Sequence, residues 1–199
     1  EFSRQTLNNQ IAFDSYNLFR LIDTEGKGFI DSVNLSDFFL RHSLYVSSYE
    51  IQQIIFNYDS DRDLSLNYTE FLSLISTKKS FSSTNSSYKV YDSIPYDVEF
   101  SFIRLLEKEL SFIRLVTLSV KDLNLRYDFT IHEAFRALDG LGADNINSDS
   151  IRKFLIRNYI TPSEQDCISI IKRFDLNKDY RVDYNDFRSF LSSYSKDYL

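Results

Sequence analysis

Two stretches of the sequence place oxygen-bearing side chains at the same intervals. Asp59, Asp61, Asp63, Asn67 and Glu70 stand at positions 1, 3, 5, 9 and 12 of one twelve-residue segment, and Asp175, Asn177, Asp179, Asp183 and Asp186 do so in another. Position 7 in each, Ser65 or Arg181, adds a backbone carbonyl. Such a set around a tight turn suits a hard divalent cation, above all calcium, which takes roughly six to eight oxygens in flexible geometry. The turn itself is where the match falters. Leu64 and Tyr180 occupy position 6, where glycine ordinarily supplies a positive φ, and an L side chain held there costs about 1–2 kcal/mol. If that strain were released without the ion, binding would weaken roughly ten-fold. Asp186 is also a shorter position-12 carboxylate than Glu, so the 175–186 loop should bind calcium less tightly and admit magnesium as the alternative ion. An acidic turn that stays empty is the competing reading for both loops.

Two further segments keep the spacing and lose the chemistry. In 23–34, Asp23, Glu25 and Asp31 offer oxygens and Gly28 permits the turn, but Lys27 puts a cation at position 5 and Asn34 has no carboxylate at position 12. In 139–150, Leu141 and Ala143 replace ligands, Asp144 stands at the glycine position, Ser150 ends the loop, and Gly140 and Gly142 make a pliable turn. Both read as structural. The starts Asp23, Asp59, Asp139 and Asp175 are 36 residues apart within each pair and 116 apart between pairs, a duplication that accidental acidic loops would not reproduce. Position 8 is apolar in all four, so Ile30 is expected opposite Leu66 and Ile146 opposite Val182. With one competent loop clamped to one structural loop, binding within a pair should lack site-to-site cooperativity.

The elements that must hold these loops are amphipathic helices. Leu18, Phe19 and Ile22 precede the first loop, Ile51, Ile54, Ile55 and Tyr58 the second, Ile131, Ala134, Phe135 and Leu138 the third, and Ile168, Ile171 and Phe174 the fourth. Phe38 and Phe39, Phe71 and Leu74, Phe154 and Leu155, and Phe187, Phe190 and Leu191 follow them. Short helices of this kind bury their apolar faces only by pairing. Ser47 with Glu50, Thr130 with Glu133 and Thr161 with Glu164 have capping-box spacing, and Pro162 would then take the first helical position. The expected fold is all-α, with helix-loop-helix pairs at 1–76 and 126–199, a Ser/Asn-rich linker at 77–97 and a long helix at 98–125. Within it the run Val98–Asp122 would extend roughly 37 Å and repeats SFIRL at 101–105 and 111–115. Ile103, Leu106, Leu110, Ile113 and Val120 form one stripe, which Phe102, Leu105, Phe112 and Val116 widen, while Glu107, Lys108, Glu109 and Arg114 leave a narrow polar face. That stripe packs either on the chain's own lobes or on a protein partner.

Composition excludes several classes. A net charge of −6 without a Lys/Arg cluster argues against nucleic-acid binding. Cys167 is the only cysteine, which rules out an intrachain disulfide and multi-thiolate zinc sites. No run of about 18 uncharged apolar residues suggests a transmembrane segment, no secretory signal opens the sequence, and a cytoplasmic setting fits best. The opening at Glu1 and the lack of Met suggest a segment of a longer protein. His42 and His132, the only histidines, belong to no nucleophile or metal constellation, and no enzyme is expected.

The segments LFRLIDTEGKGFIDSVNLSDFF, IIFNYDSDRDLSLNYTEFLSLI, AFRALDGLGADNINSDSIRKFL and IIKRFDLNKDYRVDYNDFRSFL together resemble the EF-hand superfamily. The resemblance implies four EF-hand helix-loop-helix units in two pairs. RYDFTIHEAFRALD at 126–139, after the long helix, is similar to a pattern in repeated EF-hand proteins of ciliates and other flagellated protists. That likeness implies a noncatalytic calcium-binding or calcium-stabilised scaffold in a larger cytoskeletal, axonemal or microtubule-associated assembly of the cilium, contacting it through the long helix. The alternative is a calmodulin- or centrin-like sensor of helical targets, against which the absence of Met weighs.

Overall fold

The computed structural model describes residues 2–8, 15–76, 94–140 and 142–195. Most of the 77–97 linker expectation, and Leu141 of the third loop, lie outside the described residues. The fold is mostly helical: α1 (Phe2–Asn8), α2 (Ser15–Ile22), β1 (Phe29–Ile30), α3 (Ser32–Arg41), α4 (Ser48–Tyr58), β2 (Leu66–Asn67), α5 (Tyr68–Ile75), α6 (Tyr96–Asn124), α7 (Ile131–Leu138), α8 (Ser148–Arg157), α9 (Glu164–Phe174) and α10 (Tyr184–Ser193). The chain forms two compact units, Glu1–Arg114 and Leu115–Leu199, so the division falls inside α6.

In the first unit two helix-loop-helix elements meet at their loops. β1 and β2 pair antiparallel, with Ile30 opposite Leu66, and both side chains are buried. Leu18, Phe19 and Ile22 of α2, Leu35, Phe38 and Phe39 of α3, Ile51, Ile54 and Ile55 of α4, and Phe71, Leu74 and Ile75 of α5 turn inward. The first half of α6 fills the groove between them. Its Phe102 ring lies 5.6 Å from that of Phe38 and 5.9 Å from that of Phe71, and burying such a ring contributes about 1.5–3 kcal/mol. Of the expected stripe, Leu106, Leu110, Ile113 and Val120 are buried, as are Phe102 and Leu105 of the widening face and Val98, whereas Ile103, Phe112 and Val116 are half-buried.

Glu109 also faces inward, at 4% exposure, although its charge placed it on the polar face in the sequence. A buried carboxylate requires a partner. Arg4 of α1 supplies it, donating from Nη2 to Glu109 Oε1 at 2.8 Å and to the Tyr58 hydroxyl at 2.6 Å, and from Nε to the Leu74 carbonyl at 2.7 Å. Nearer the ends of this half-helix, Glu99 pairs with His42 at 3.0 Å and Arg114 with Glu50.

The second unit builds the same pair from α7–α10 and the last part of α6. Ile146 and Val182 exchange backbone hydrogen bonds of 2.9 Å each, the expected pairing, as an isolated bridge. Phe174 stacks on Phe187 at 5.6 Å and lies 4.1 Å from Phe190, which in turn meets Tyr194 at 5.0 Å. Cys167 is buried in this interior.

Ser47 and Glu50 form the expected reciprocal box, and Thr130 accepts from the Glu133 amide. The third expectation is corrected: α9 is capped by Ser163 with Asp166, not by Thr161 with Glu164, and Pro162 precedes the cap. Starting the helix two residues later lets Pro162 and Cys167, at the two staple positions, both be buried.

Backbone conformation preserves the duplication down to single residues. Among the described residues, those with positive φ fall into five pairs 116 apart: Gly26 and Gly142, Gly28 and Asp144, Ser43 and Tyr159, Arg62 and Lys178, Leu64 and Tyr180. Arg41 and Arg157 match as well. Each lies 5.6 Å from a phenyl ring, Phe38 or Phe154, and each donates to the carbonyl 20 residues upstream, Leu21 or Ala137.

Candidate metal centres

Each loop is closed first by its leading aspartate. Asp23 accepts from the amides of Lys27 and Gly28 at 2.9 and 2.8 Å, and Asp139 from those of Ala143 and Asp144 at 3.0 Å each. Asp175 accepts from Asp179 and Tyr180 at 3.2 and 2.7 Å, and Asp59 from Arg62 and Leu64 at 2.6 and 2.9 Å. One carboxylate thus satisfies two turn amides, which explains why the ligand-poor loops retain it.

Positions 9 and 12 have a second task that the sequence reading missed. They are the N-cap and third residue of the exiting helix. Asn67 accepts from the Glu70 amide at 3.1 Å while Glu70 Oε2 accepts from the Asn67 amide at 3.0 Å. Glu70 Oε1 also accepts from the Ser60 amide at 2.6 Å, tying the loop's second residue to its last. Asp183 and Asp186 form the corresponding box, at 2.8 and 3.3 Å. The signal was available, because a ligand spacing of three from 9 to 12 is also the spacing of a capping box.

The 59–70 loop gathers its acids. Asp59, Asp61 and Asp63 present carboxylate oxygens all within 4.8 Å of one another. Glu70 lies buried below them, and Asp63 Oδ1 accepts from the Ser65 amide and hydroxyl at 2.8 Å each. Burial, and then the charge of Glu70 and a side-chain hydrogen bond with Asp61, hold the Asp59 carboxyl above its ordinary range against the amides of Leu64 and Arg62. In 175–186, Asn177 accepts from the Asp179 amide at 3.0 Å and donates to Asp179 Oδ2 at 3.3 Å, while Asp179 Oδ1 accepts from Arg181 N–H at 2.9 Å. Burial raises the pKa of Asp186, with Asp183, Asp175 and Asp179 adding like-charge repulsion. Both donor sets are all-oxygen and anionic, the chemistry a divalent cation would neutralise. Leu64 and Tyr180 adopt φ of +67° and +66°, so both loops form the glycine turn without glycine.

In 23–34 the position-5 side chain takes the place of a ligand. Lys27 Nζ lies 2.6 Å from Asp31 and 3.4 Å from Glu25, an ammonium between the two remaining acidic positions. The histidines sit outside any such arrangement. His42 packs 4.6 Å from Phe38 beside Glu99, and His132 meets the edge of Tyr184 at 5.7 Å.

Residues 128–192 match the family model of an EF-hand domain pair. That module is a noncatalytic binding fold. Comparison with curated proteins finds no significant match. Among the described residues no helix is long and apolar enough to cross a membrane.

Proposed function

With an EF-hand pair at 128–192 as premise, we propose that the first unit is a second such pair and that the chain is a calcium-binding scaffold module. In this reading Asp59, Asp61, Asp63, Asn67 and Glu70 with the Ser65 carbonyl hold one ion. Asp175, Asn177, Asp179, Asp183 and Asp186 with the Arg181 carbonyl hold another, with magnesium as a competitor. The supporting observations are the acid cluster of 59–63 and the shared 116-residue register of all five positive-φ pairs. The loops at 23–34 and 139–150 brace their partners through Ile30 with Leu66 and Ile146 with Val182.

One feature favours a scaffold over a sensor of helical targets. The groove that such a sensor would open is filled in the first unit by the chain's own α6, anchored by Phe102. A cytoskeletal or axonemal setting is the one suggested by the sequence likeness. Calorimetric titration of the full chain with calcium, and separately with magnesium, tests the ion reading. The expectation is one site lost in Glu70→Gln and the other in Asp186→Asn. Absence of heat and of any structural change up to millimolar calcium would refute it.

A further inference from the structure

The two loop pairs differ in how far their backbones run together. In the first unit the ladder has two rungs, with Ile30 opposite Leu66 and Phe29 opposite Asn67. In the second, among the described residues, Ile146 and Val182 pair as an isolated bridge. Asn145, 116 residues after Phe29, donates instead from its side chain to the Ala143 carbonyl of its own loop, at 2.8 Å. The extra rung matters because Asn67 holds position 9 of the 59–70 loop and is the N-cap of α5. Its counterpart Asp183 lies outside any strand or bridge.

Beside the longer ladder stands Lys27, where the second unit has Ala143. Lys27 Nζ lies 2.6 Å from Asp31 and 3.4 Å from Glu25, and 5.2 Å from the centre of the Phe29 ring. One ammonium thus joins carboxylates on both sides of β1 and covers the ring of its first residue. The methyl group of Ala143 can do none of this. Each contact is weak at an exposed position, but all act on a strand of two residues, which has little else to order it. Phe29 is itself a better strand former than Asn145, so the effect of Lys27 has to be measured by changing Lys27 alone.

We infer that Lys27 is a positioning residue for the 59–70 site: its ammonium clamps β1 against Glu25, Asp31 and Phe29, and β1 in turn fixes Asn67 among the oxygen donors. The residue that disqualifies the 23–34 loop from binding an ion thereby serves the loop beside it. The effect on calcium affinity rests on the ion reading of 59–70, whereas the clamp on the ladder does not. The sign of the effect identifies the cause. Acting through space, a positive charge repels a divalent cation, so its removal would tighten binding. Loss of a clamp does the reverse.

The test is calorimetric titration with calcium of the full chain carrying Asp186→Asn, so that 59–70 is the site titrated, with and without Lys27→Met or Lys27→Arg. Methionine keeps most of the side chain's length and removes the charge, while arginine keeps both reach and charge. The expected result is an affinity lower by about two- to five-fold in Lys27→Met, the range an exposed ion pair commands, and unchanged in Lys27→Arg. Amide hydrogen exchange over 29–30 and 66–67 in EDTA should quicken by a similar factor in Lys27→Met alone. Unchanged or tighter calcium binding in Lys27→Met would overturn the inference, as would an equal loss in Lys27→Arg. No calcium heat in the parent chain would sink the ion reading, and exchange would then decide the clamp by itself. Faster exchange in Lys27→Met alone upholds it, and unchanged exchange overturns it.

Discussion

Replacing Leu64 with glycine should stabilise the protein. Leu64 holds φ +67° while 77% of its surface is exposed, so the side chain contributes little packing and all of the backbone strain. Relief of the left-handed conformation is worth about 1–2 kcal/mol. The greater freedom of glycine in the unfolded chain takes back about 0.5–1 kcal/mol, leaving a net gain of about 0.5–1 kcal/mol. For a unit of this size that raises the melting temperature by about 2–8 °C. Tyr180→Gly is an internal replicate, at φ +66° and 73% exposure. Differential scanning calorimetry in EDTA measures both. The turn at Leu64 is held by the Asp59 carboxylate on its amide, at 2.9 Å, a contact made by protein atoms alone. The gain should therefore appear in stability, with calcium affinity unchanged, because a substitution acting equally on both states shifts no binding equilibrium. Unchanged or lowered melting temperatures in both variants would refute the strain argument. A stability gain absent in EDTA but accompanied by tighter calcium binding would show that the turn relaxes without the ion.

Arg4→Ala should destabilise the first unit by about 3–5 kcal/mol, because it removes the cation held against the buried Glu109 carboxylate, while the paired change Arg4→Met with Glu109→Leu should recover most of the loss in urea denaturation. Asp186 lies above its ordinary pKa through burial and the neighbouring acids, so its ionised form opposes folding at neutral pH and the opposition fades as pH falls through the raised value. Asp186→Asn should accordingly stabilise the chain in EDTA near pH 7 and abolish calcium binding at 175–186, which thermal melts and calorimetry together check. Glu50 behaves oppositely: burial raises its pKa, but the hydrogen bonds from Arg114 and Ser47 outweigh it and leave the group below its ordinary value. Its contribution is present above the usual carboxylate range and lost as pH falls through the lowered value. Arg114→Ala should therefore cost at most about 1 kcal/mol at pH 7 and flatten the acid limb of a stability profile between about pH 5 and 3.

What the sequence revealed was whatever repeats at fixed intervals. The loop starts and the Ile30–Leu66 and Ile146–Val182 contacts follow from spacing and stand in the expected register, and of the phenylalanines named for the helix faces Phe19, Phe38, Phe39, Phe71, Phe135, Phe187 and Phe190 are buried while Phe154 and Phe174 are half-buried. Long-range pairing was not legible. Glu109 looked solvated because its partner, Arg4, is 105 residues away. Ile103 and Phe102 are adjacent, and only the position of Phe38 and Phe71 decides which of them faces in. The cap of α9 was misread by two residues because two overlapping hydroxyl-to-acid spacings compete, and burial of Pro162 and Cys167 favours the later one. At the candidate metal centres the donors could be named, but not that Asn67, Glu70, Asp183 and Asp186 also begin helices.

Duplication at 116 residues carries a hazard during folding. The loop-to-loop contacts are made by backbone groups of apolar residues, Ile30 with Leu66 and Ile146 with Val182, and nothing in such a contact distinguishes a proper mate from its repeat. A nascent hand could join the wrong partner, within the chain or on a neighbouring one, as tandem repeats are prone to do. Discrimination has to come from the interiors, which have diverged where the loops have not. Ile51 answers to Cys167 and Leu74 to Phe190, so an exchanged pair would leave a void on one side and crowding on the other, each costing on the order of 1–3 kcal/mol. The salt-bridged Arg4 and Glu109 add a polar lock to one interior alone: Val120, the counterpart of Arg4, is apolar and buried. The mismatched cores thus act as an identity check that keeps each half with its own mate.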